Sequence, residues 1–362
     1  MTQLIQIVPT LPPLIGGVGD YAHCLAMQLA QDCHLKTHFL VSDPSWLSNG
    51  QEIPYTVSPL SQHQSLLIQQ LDNGLDSGST VLIHYVSYGY SKQGTPTWLI
   101  DGLNHWKTKH PKGQLVTMFH EIAASGPIWS RAFWRSGMQK RLAKRLIEIS
   151  DRILTSKQLY AEILQRYAQG RFSEIPALPV FSNVGEPSNL SDLSTRQRHL
   201  VVFGGRGRRA KVYQSSLDQL DRICHCLDIQ QIFDIGPKLD SIPSHVGDVP
   251  ITPTGSLPSD EVSAILSGAI AGFFNYHPAF LGKSTIFAAY CAHRMLPVSA
   301  QMTSHIEDGL YPGQHYILSD QYSADMKNEI LLQSIADKAY AWYQSHNLSA
   351  QAKTYQALLS NF

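Results

Sequence analysis

Leu200-Val201-Val202-Phe203-Gly204-Gly205-Arg206-Gly207-Arg208-Arg209-Ala210-Lys211 is the stretch on which the fold turns. Four apolar residues in a row read as a strand covered on both faces, two glycines end it, and a basic run opens the next element. The N-terminus has the same layout. Leu4-Ile5-Gln6-Ile7-Val8 is a short strand, Gly16-Gly17-Val18-Gly19-Asp20-Tyr21 is a glycine loop, and Tyr21, Leu25 and Leu29 recur at helical spacing over 17–30. Working outward, Thr37–Val41, Val81–Val86, Leu115–Phe119, Ile229–Ile235 and Ala269–Tyr276 are further strand-like runs, Ser259–Leu266 reads as a helix, and Ile330–Phe362 carries long helical patterns. Strands separated by helices imply right-handed crossovers and parallel sheets. In such a sheet the first glycine loop lies at the carboxyl end of its strand, where ligands bind. The expectation is an α/β protein with two Rossmann-like parallel-sheet domains facing across a cleft.

Composition narrows the function. A chain of 362 residues suits two domains. The apolar share of 43% lets each bury a core. Lys+Arg and Asp+Glu are both 28, so the net charge is zero and a nucleic-acid partner is not expected. Five cysteines, at 24, 33, 224, 226 and 291, make no disulfide framework and fit a reducing, cytoplasmic compartment. Cys224-His225-Cys226 has no second ligand cluster, so no metal is expected. The N-terminus carries no positive charge ahead of its apolar run and reads as a strand rather than a targeting segment. The longest uncharged stretch, Val262–Gly282, contains Asn275, His277 and Pro278 and is a poor membrane span. The polar, turn-rich run after Val184 suggests a first domain over 1–185, a linker over 186–199, a second domain over 200–340, and a C-terminal helix over 341–362 that packs back on the first domain.

Several clusters point to phosphate and sugar chemistry. Arg206, Arg208, Arg209 and Lys211 put four cations within six residues directly after a strand, with no acid interleaved, which suits an anion site; an ordinary solvated basic loop is the alternative. Gly16, Gly17 and Gly19 let a backbone and a helix N-terminus approach a ligand, although glycine needed for the turn alone explains them too. The string Gly17-x-Gly19-x-x-Ala22 also fits a dinucleotide fingerprint, but Pro9–Ile15 separates it from its strand. Gly282-Lys283-Ser284-Thr285 ends like a P-loop, yet His277 stands where the first glycine is required; a local anion role for Lys283, Ser284 and Thr285 remains. His84, and His120 with Glu121, end strands and would face the cleft; a structural histidine is the alternative for each. Trp129–Arg145 holds six basic residues and three large aromatics with no acid, which suits contact with an anionic membrane surface or an ordinary exposed helix.

Together these segments resemble glycosyltransferase family 4, nucleotide-sugar enzymes of GT-B fold. Pro12-Pro13-x-x-Gly16-Gly17-Val18-Gly19-Asp20-Tyr21-Ala22 resembles their N-terminal glycine loop, and Phe119-His120-Glu121 their strand-end histidine motif. Ser150-Asp151-Arg152-Ile153-Leu154-Thr155-Ser156 is similar to their "ADRVIVTS" segment, and Pro179–Val184 to the run that leaves the first domain. Gly205-Arg206 with Lys211 matches "GR….K", Gly255–Glu261 resembles "GxVSDEE", and Leu296-Pro297-Val298 resembles "GxPVV". The resemblance implies a retaining, metal-independent hexosyltransferase that needs no cofactor beyond a nucleoside diphosphate sugar donor. Its acceptor would be a glycan, a lipid-linked glycan or a small molecule, in the setting of polysaccharide biosynthesis. Arg206 and Lys211 would neutralise the diphosphate, His120 would contact the sugar, and Gly16, Gly17 and Gly19 would approach from the other domain. The enzyme would be cytoplasmic, at the inner face of a membrane if the basic aromatic helix is used.

One departure stands out. The family places two glutamates eight positions apart before the "PV" segment, the first on the transferred sugar and the second on the ribose. Counted back from Pro297-Val298, these positions hold Gly282 and Tyr290, and no acid occurs between Val262 and Ile306. Either the donor is held differently, with Lys283, Ser284, Thr285 and Tyr290 in the site, or the chain is a catalytically degenerate relative that binds a nucleotide, a glycan or a partner subunit.

Overall fold

The computed structural model describes residues 3–14, 16–46, 55–74, 80–123, 131–302, 306–321 and 328–360. The chain divides into two units, Met1–Leu178 with Leu348–Phe362, and Pro179–Asn347.

The first unit alternates strand and helix as its apolar pattern requires: β1 (Gln3–Val8), α1 (Gly17–Cys33), β2 (Lys36–Val41), β3 (Thr56–Pro59), α2 (Gln64–Gly74), β4 (Thr80–Tyr85), α3 (Ser87–Tyr90), α4 (Thr97–Lys109), β5 (Gln114–Phe119), α5 (Arg131–Ile149), β6 (Arg152–Thr155) and α6 (Gln158–Ala168). The six strands form a wholly parallel sheet in the order β3-β2-β1-β4-β5-β6. The chain runs outward from β1 on one side and resumes at β4 on the other, so the topological switch point lies between β1 and β4. Ile5, Ile7, Val81, Ile83 and Leu115 are buried, which accounts for their continuous apolar runs.

The second unit contains β7 (Gln197–Phe203), α7 (Arg206–Ser215), α8 (Leu217–Cys226), β8 (Gln231–Ile235), β9 (His245–Val246), β10 (Val249–Gly255), α9 (Ser259–Gly268), β11 (Ala269–Phe274), a 3-10 turn (Pro278–Lys283), α10 (Thr285–Ala292), β12 (Leu296–Ser299), β13 (Ile317–Leu318) and α11 (Glu329–Gln344). Its sheet runs β13-β12-β11-β7-β8-β10-β9 and is parallel except for the short β9. The switch point lies between β7 and β11. Both units are therefore Rossmann-like.

Boundaries differ from the sequence reading in three places. Residues 179–185 belong to the second unit, where the Val180 N–H donates to Gly282 O (2.8 Å) and the Ser182 N–H to the Tyr343 hydroxyl (2.9 Å). The expected linker is pinned rather than free. Leu193 N–H donates to Gln333 Oε1 (2.7 Å), and the buried Arg196 donates to the carbonyls of Ala269 and His293. β7 already begins at Gln197 because His199 pairs in register with Gln231. The C-terminal helical pattern is two helices. α11 stays with the second unit, and α12 (Leu348–Ser360) packs on α1 of the first.

Candidate functional site

At the first switch point a diagonal row of polar side chains crosses three neighbouring strands. Gln6 lies opposite Leu82 in the register of β1 and β4, and His84 is two residues on; His84 lies opposite Met118 in β5, and His120 is again two residues on. The period of two along each strand puts all three on one face. Gln6 Nε2 donates to Thr37 Oγ1 (3.3 Å), so its Oε1 faces His84 Nε2 (2.8 Å). His84 Nδ1 lies 3.1 Å from His120 Nε2. Burial pushes the His84 imidazole down to about 3, so it is neutral at ordinary pH. A neutral ring that donates from Nε2 accepts at Nδ1, so His120 donates from Nε2 and its tautomer is set by the residue behind it.

Tyr21 of α1 covers both imidazoles edge-on, with ring centroids 5.8 Å from His84 and 5.1 Å from His120. Its hydroxyl donates to Gln351 Oε1 (2.6 Å) and lies 3.2 Å from that of Tyr355, both on α12. The returning helix thus buttresses the histidine row. Glu121 follows His120 and is half-buried; burial pushes the Tyr160 hydroxyl up to about 12, and the charge of Glu121 adds to it. Lys157, at the carboxyl end of β6, is wholly buried with its ammonium 5.6 Å from the Tyr160 ring.

The three glycines of the first loop differ. Gly16 precedes the first turn of α1, and its carbonyl accepts from the Asp20 N–H (2.8 Å). Gly17 is exposed, with open space where a side chain would stand. Gly19 is a packing glycine, because a methyl there would sit 2.5 Å from the Thr10 carbonyl oxygen.

In the second unit the basic run becomes the first two turns of α7, at the carboxyl end of β7 and beside the switch point. The four cations separate. Arg209 is buried and paired with Asp234; its Nη2 donates to the Pro237 carbonyl and its Nε to the Gly204 carbonyl (2.8 Å). It belongs to the scaffold, which corrects the reading of four available cations. Burial pushes the Asp234 carboxyl above its ordinary value, against Arg209 and the Tyr213 hydroxyl (2.9 Å), which favour the charged form. Arg206, Arg208 and Lys211 stay exposed, and the Arg208 guanidinium stacks 4.2 Å from the centre of the Tyr276 ring, just past β11. Gly204, at φ 129°, turns the chain into α7, and a methyl there would meet Ile286 Cδ1 at 2.5 Å.

Lys283 ends the 3-10 turn and is half-buried. The buried Ser284 caps α10, its Oγ accepting from the Phe287 N–H (3.2 Å), and Thr285 is the first helical residue. Since Ile286 touches the Gly204 position, this segment and the start of α7 lie together. Tyr290 does not join them. It is wholly buried, its ring fills the space left by Gly272, and its hydroxyl bonds Val201 O (3.1 Å) and Phe203 N–H (3.2 Å). The substrate-binding role expected for Tyr290 is therefore withdrawn: it ties β7 to β11.

Two features lie apart from these edges. A cavity of about 640 Å³ opens beside α11 at the amino ends of β7, β11 and β12, next to Arg198, Ile270 and Leu296, the end of a parallel sheet that does not carry ligand loops. In α5, Leu142, Ala143, Leu146 and Ile147 are buried, while Lys140, Arg141, Lys144 and Arg145 are exposed. Arg145 pairs with Asp101 (2.6 Å), and Lys144 stands over the Tyr167 ring. Trp129 lies outside the described residues, as do the side chains of Phe133 and Trp134. Among the described residues no group of three or more His, Cys, Asp or Glu is placed to hold a metal, and no helix is long and apolar enough to cross a membrane.

Solved structures share this architecture along the whole chain. An S. aureus TarM mutant in complex with fondaparinux, alpha-GlcNAc-glycerol and UDP matches with a TM-score of 0.66 at 8% identity, over 100% of both chains. The pneumococcal O-GlcNAc transferase GtfA in complex with UDP and GlcNAc matches with a TM-score of 0.63 at 10% identity, over 99% of this chain and 98% of that one. The alpha,alpha-trehalose 6-phosphate synthase from Burkholderia multivorans matches at 0.60 and 11% identity, over 99% and 96%. No protein-family model matches the chain, and no curated protein matches it in sequence. At these identities the likeness shows the fold: two Rossmann-like parallel-sheet domains of the GT-B class.

Proposed function

We propose that this chain is a glycosyltransferase that transfers a hexose, with retention and without a metal, from a nucleoside diphosphate sugar to a glycan, lipid-linked or small-molecule acceptor. The observation that carries it is the set of exposed cations on α7, directly after β7 at the switch point of the second sheet. Charge builds on the departing diphosphate as the glycosidic bond opens. The N–H groups at the start of α7 and the side chains of Arg206 and Lys211 are suited to stabilise it, because donors already in place need not reorganise during the reaction. Lys283 and Thr285 lie beside this edge. In the first unit His120 donates its Nε2–H to His84, so its Nδ1 is an acceptor, suited to the O–H of a sugar hydroxyl. Solved structures of the same fold hold UDP, by their own descriptions, which makes a nucleoside diphosphate the first ligand to try. The exposed basic face of α5 is proposed to rest on an anionic membrane when the acceptor is lipid-linked.

A second reading, binding without transfer, is favoured by the two positions where carboxylates are expected: Gly282 has no side chain and Tyr290 is sealed in the core. Calorimetry with UDP, GDP, ADP and their sugar conjugates, in EDTA, separates the possibilities. Micromolar binding of one base, lost in Arg206→Ala, supports the donor site and justifies an acceptor screen. Binding without turnover of any acceptor favours the degenerate relative. No binding at all overturns the donor site.

A further inference from the structure

A carboxylate returns to the edge of the second sheet from another part of the chain. Glu307 and Leu310 bracket a tight turn in which Asp308 has φ 54° and Gly309 φ 73°. Trp342 of α11 holds the turn, its Nε1–H donating to the Asp308 carbonyl (2.9 Å). The Asp308 side chain lies directly against Gly282. A methyl on Gly282 would overlap the carboxylate and sit 2.9 Å from its Cγ. Gly282 is not among the residues of positive φ, so its backbone conformation is open to any amino acid. It is buried, and its carbonyl accepts from the Val180 N–H. Glycine is demanded at 282 by the approach of the carboxylate rather than by the turn. The 3-10 turn containing Gly282 leaves the carboxyl end of β11 and leads into α10, whose Ile286 touches the Gly204 position at the start of the basic helix. Asp308 therefore belongs to the same edge as Arg206.

We propose that Asp308 supplies the carboxylate that accepts hydrogen bonds from hydroxyls of the transferred sugar, in place of a side chain at 282. The proposal rests on the donor-site reading above and deepens it. An ionised carboxylate receiving O–H donors is the strong form of such a contact, and a shape-matched amide is weaker. The competing role is structural, since aspartate is favoured at positive φ for its own sake. Asparagine shares that preference and shape, so Asp308→Asn keeps the turn while removing the charge.

The experiment measures, by calorimetry, the dissociation constants of a free nucleoside diphosphate and of its glucose and N-acetylglucosamine conjugates. UDP is tried first, then GDP and ADP. Wild type, Asp308→Asn and the exchange Asp308→Gly with Gly282→Glu are compared. The expected result is unchanged binding of the free diphosphate in Asp308→Asn, with the ratio of conjugate to free dissociation constants raised roughly 10-fold or more. Partial recovery of that ratio in the exchange, which moves the carboxylate to 282 and clears its space, strengthens the assignment. An unchanged ratio in Asp308→Asn, or an equal loss for free and conjugated nucleotide, assigns Asp308 to the turn alone and leaves the donor site standing. A wild type that binds none of the nucleotides overturns both. Should the exchange not fold, the Asp308→Asn ratio decides.

Discussion

At the carboxyl edge of the first sheet, Gln6, His84 and His120 form a row of neutral groups linked by hydrogen bonds and covered by Tyr21. At the carboxyl edge of the second, Arg209 and Asp234 form a buried ion pair beneath three exposed cations. The topology is shared, with a switch point beside the first strand of each sheet. The chemistry is not. A neutral row can turn one acceptor toward an uncharged hydroxyl without the cost of burying charge, whereas a fixed cation shapes the glycine turn that offers further cations to an anion. On the proposed function this is a division of labour between sugar and diphosphate, and it can be broken one side at a time.

The largest effect is expected where charge is buried. Arg209→Ala leaves the Asp234 carboxylate without its cation and should destabilise the second unit by about 3–5 kcal/mol. Hydrogen exchange resolved along the chain should show early opening of β7, β8 and α7, with the first unit protected as before. Equal loosening of both units would contradict their separate cores. Arg206→Ala, one exposed residue from the same helix, should leave stability alone and weaken nucleoside diphosphate binding by roughly 10- to 100-fold, the worth of a hydrogen bond to a charged group. His120→Ala should spare the free diphosphate and weaken only the sugar conjugate. If both variants weaken the free nucleotide equally, the division between the units is wrong.

The neutral row makes its own prediction about pH. His84 has a folded value of about 3, below the ordinary value of an unfolded histidine near 6.5. Protons therefore bind the unfolded chain first. The stability this group contributes is present above about pH 6.5 and is lost as pH falls toward 3, at about 1.4 kcal/mol per pH unit. His84→Gln removes that dependence while keeping a polar side chain. The stability gap between wild type and variant should therefore shrink by about 2 kcal/mol from pH 7 to pH 5 in urea unfolding. A gap constant with pH would mean that His84 binds its proton as readily folded as unfolded, and that burial does not hold the ring neutral.

How much of this was legible follows from what local pattern can carry. Ile5, Ile83, Val116 and Val201 sit in unbroken apolar runs because their strands are covered on both faces, so the α/β class and the glycine loops could be read directly. The partners of polar side chains could not. Tyr21 meets Gln351 across 330 residues, and nothing near either position announces the other. Arg209 stands among three other cations, and only the packing of α7 against β8 distinguishes the one that is spent on Asp234. Tyr290 holds a position where the resemblance suggests a polar contact, yet it is core. Asp308 lies 26 positions beyond Gly282, outside the window in which a carboxylate was sought, and only the fold brings the two together.

The smallest expected effects separate ligand-approach glycines from packing glycines within one loop. Gly17 is exposed, and its missing side chain would meet nothing. Gly17→Ala should therefore hold or raise stability by up to about 1 kcal/mol, through the lower entropy of the unfolded chain. Gly19→Ala drives a methyl toward the Thr10 carbonyl and should cost about 1 kcal/mol or more as α1 shifts off the end of β1. Nucleotide binding sharpens the contrast. If the first turn of α1 approaches a diphosphate, as the resemblance to family 4 implies, Gly17→Ala weakens binding in a protein of undiminished stability, a combination that packing alone does not produce. If Gly17→Ala binds as wild type does, the glycines of this loop serve its turn and its contact with Thr10, and the cations on α7 hold the anion without them.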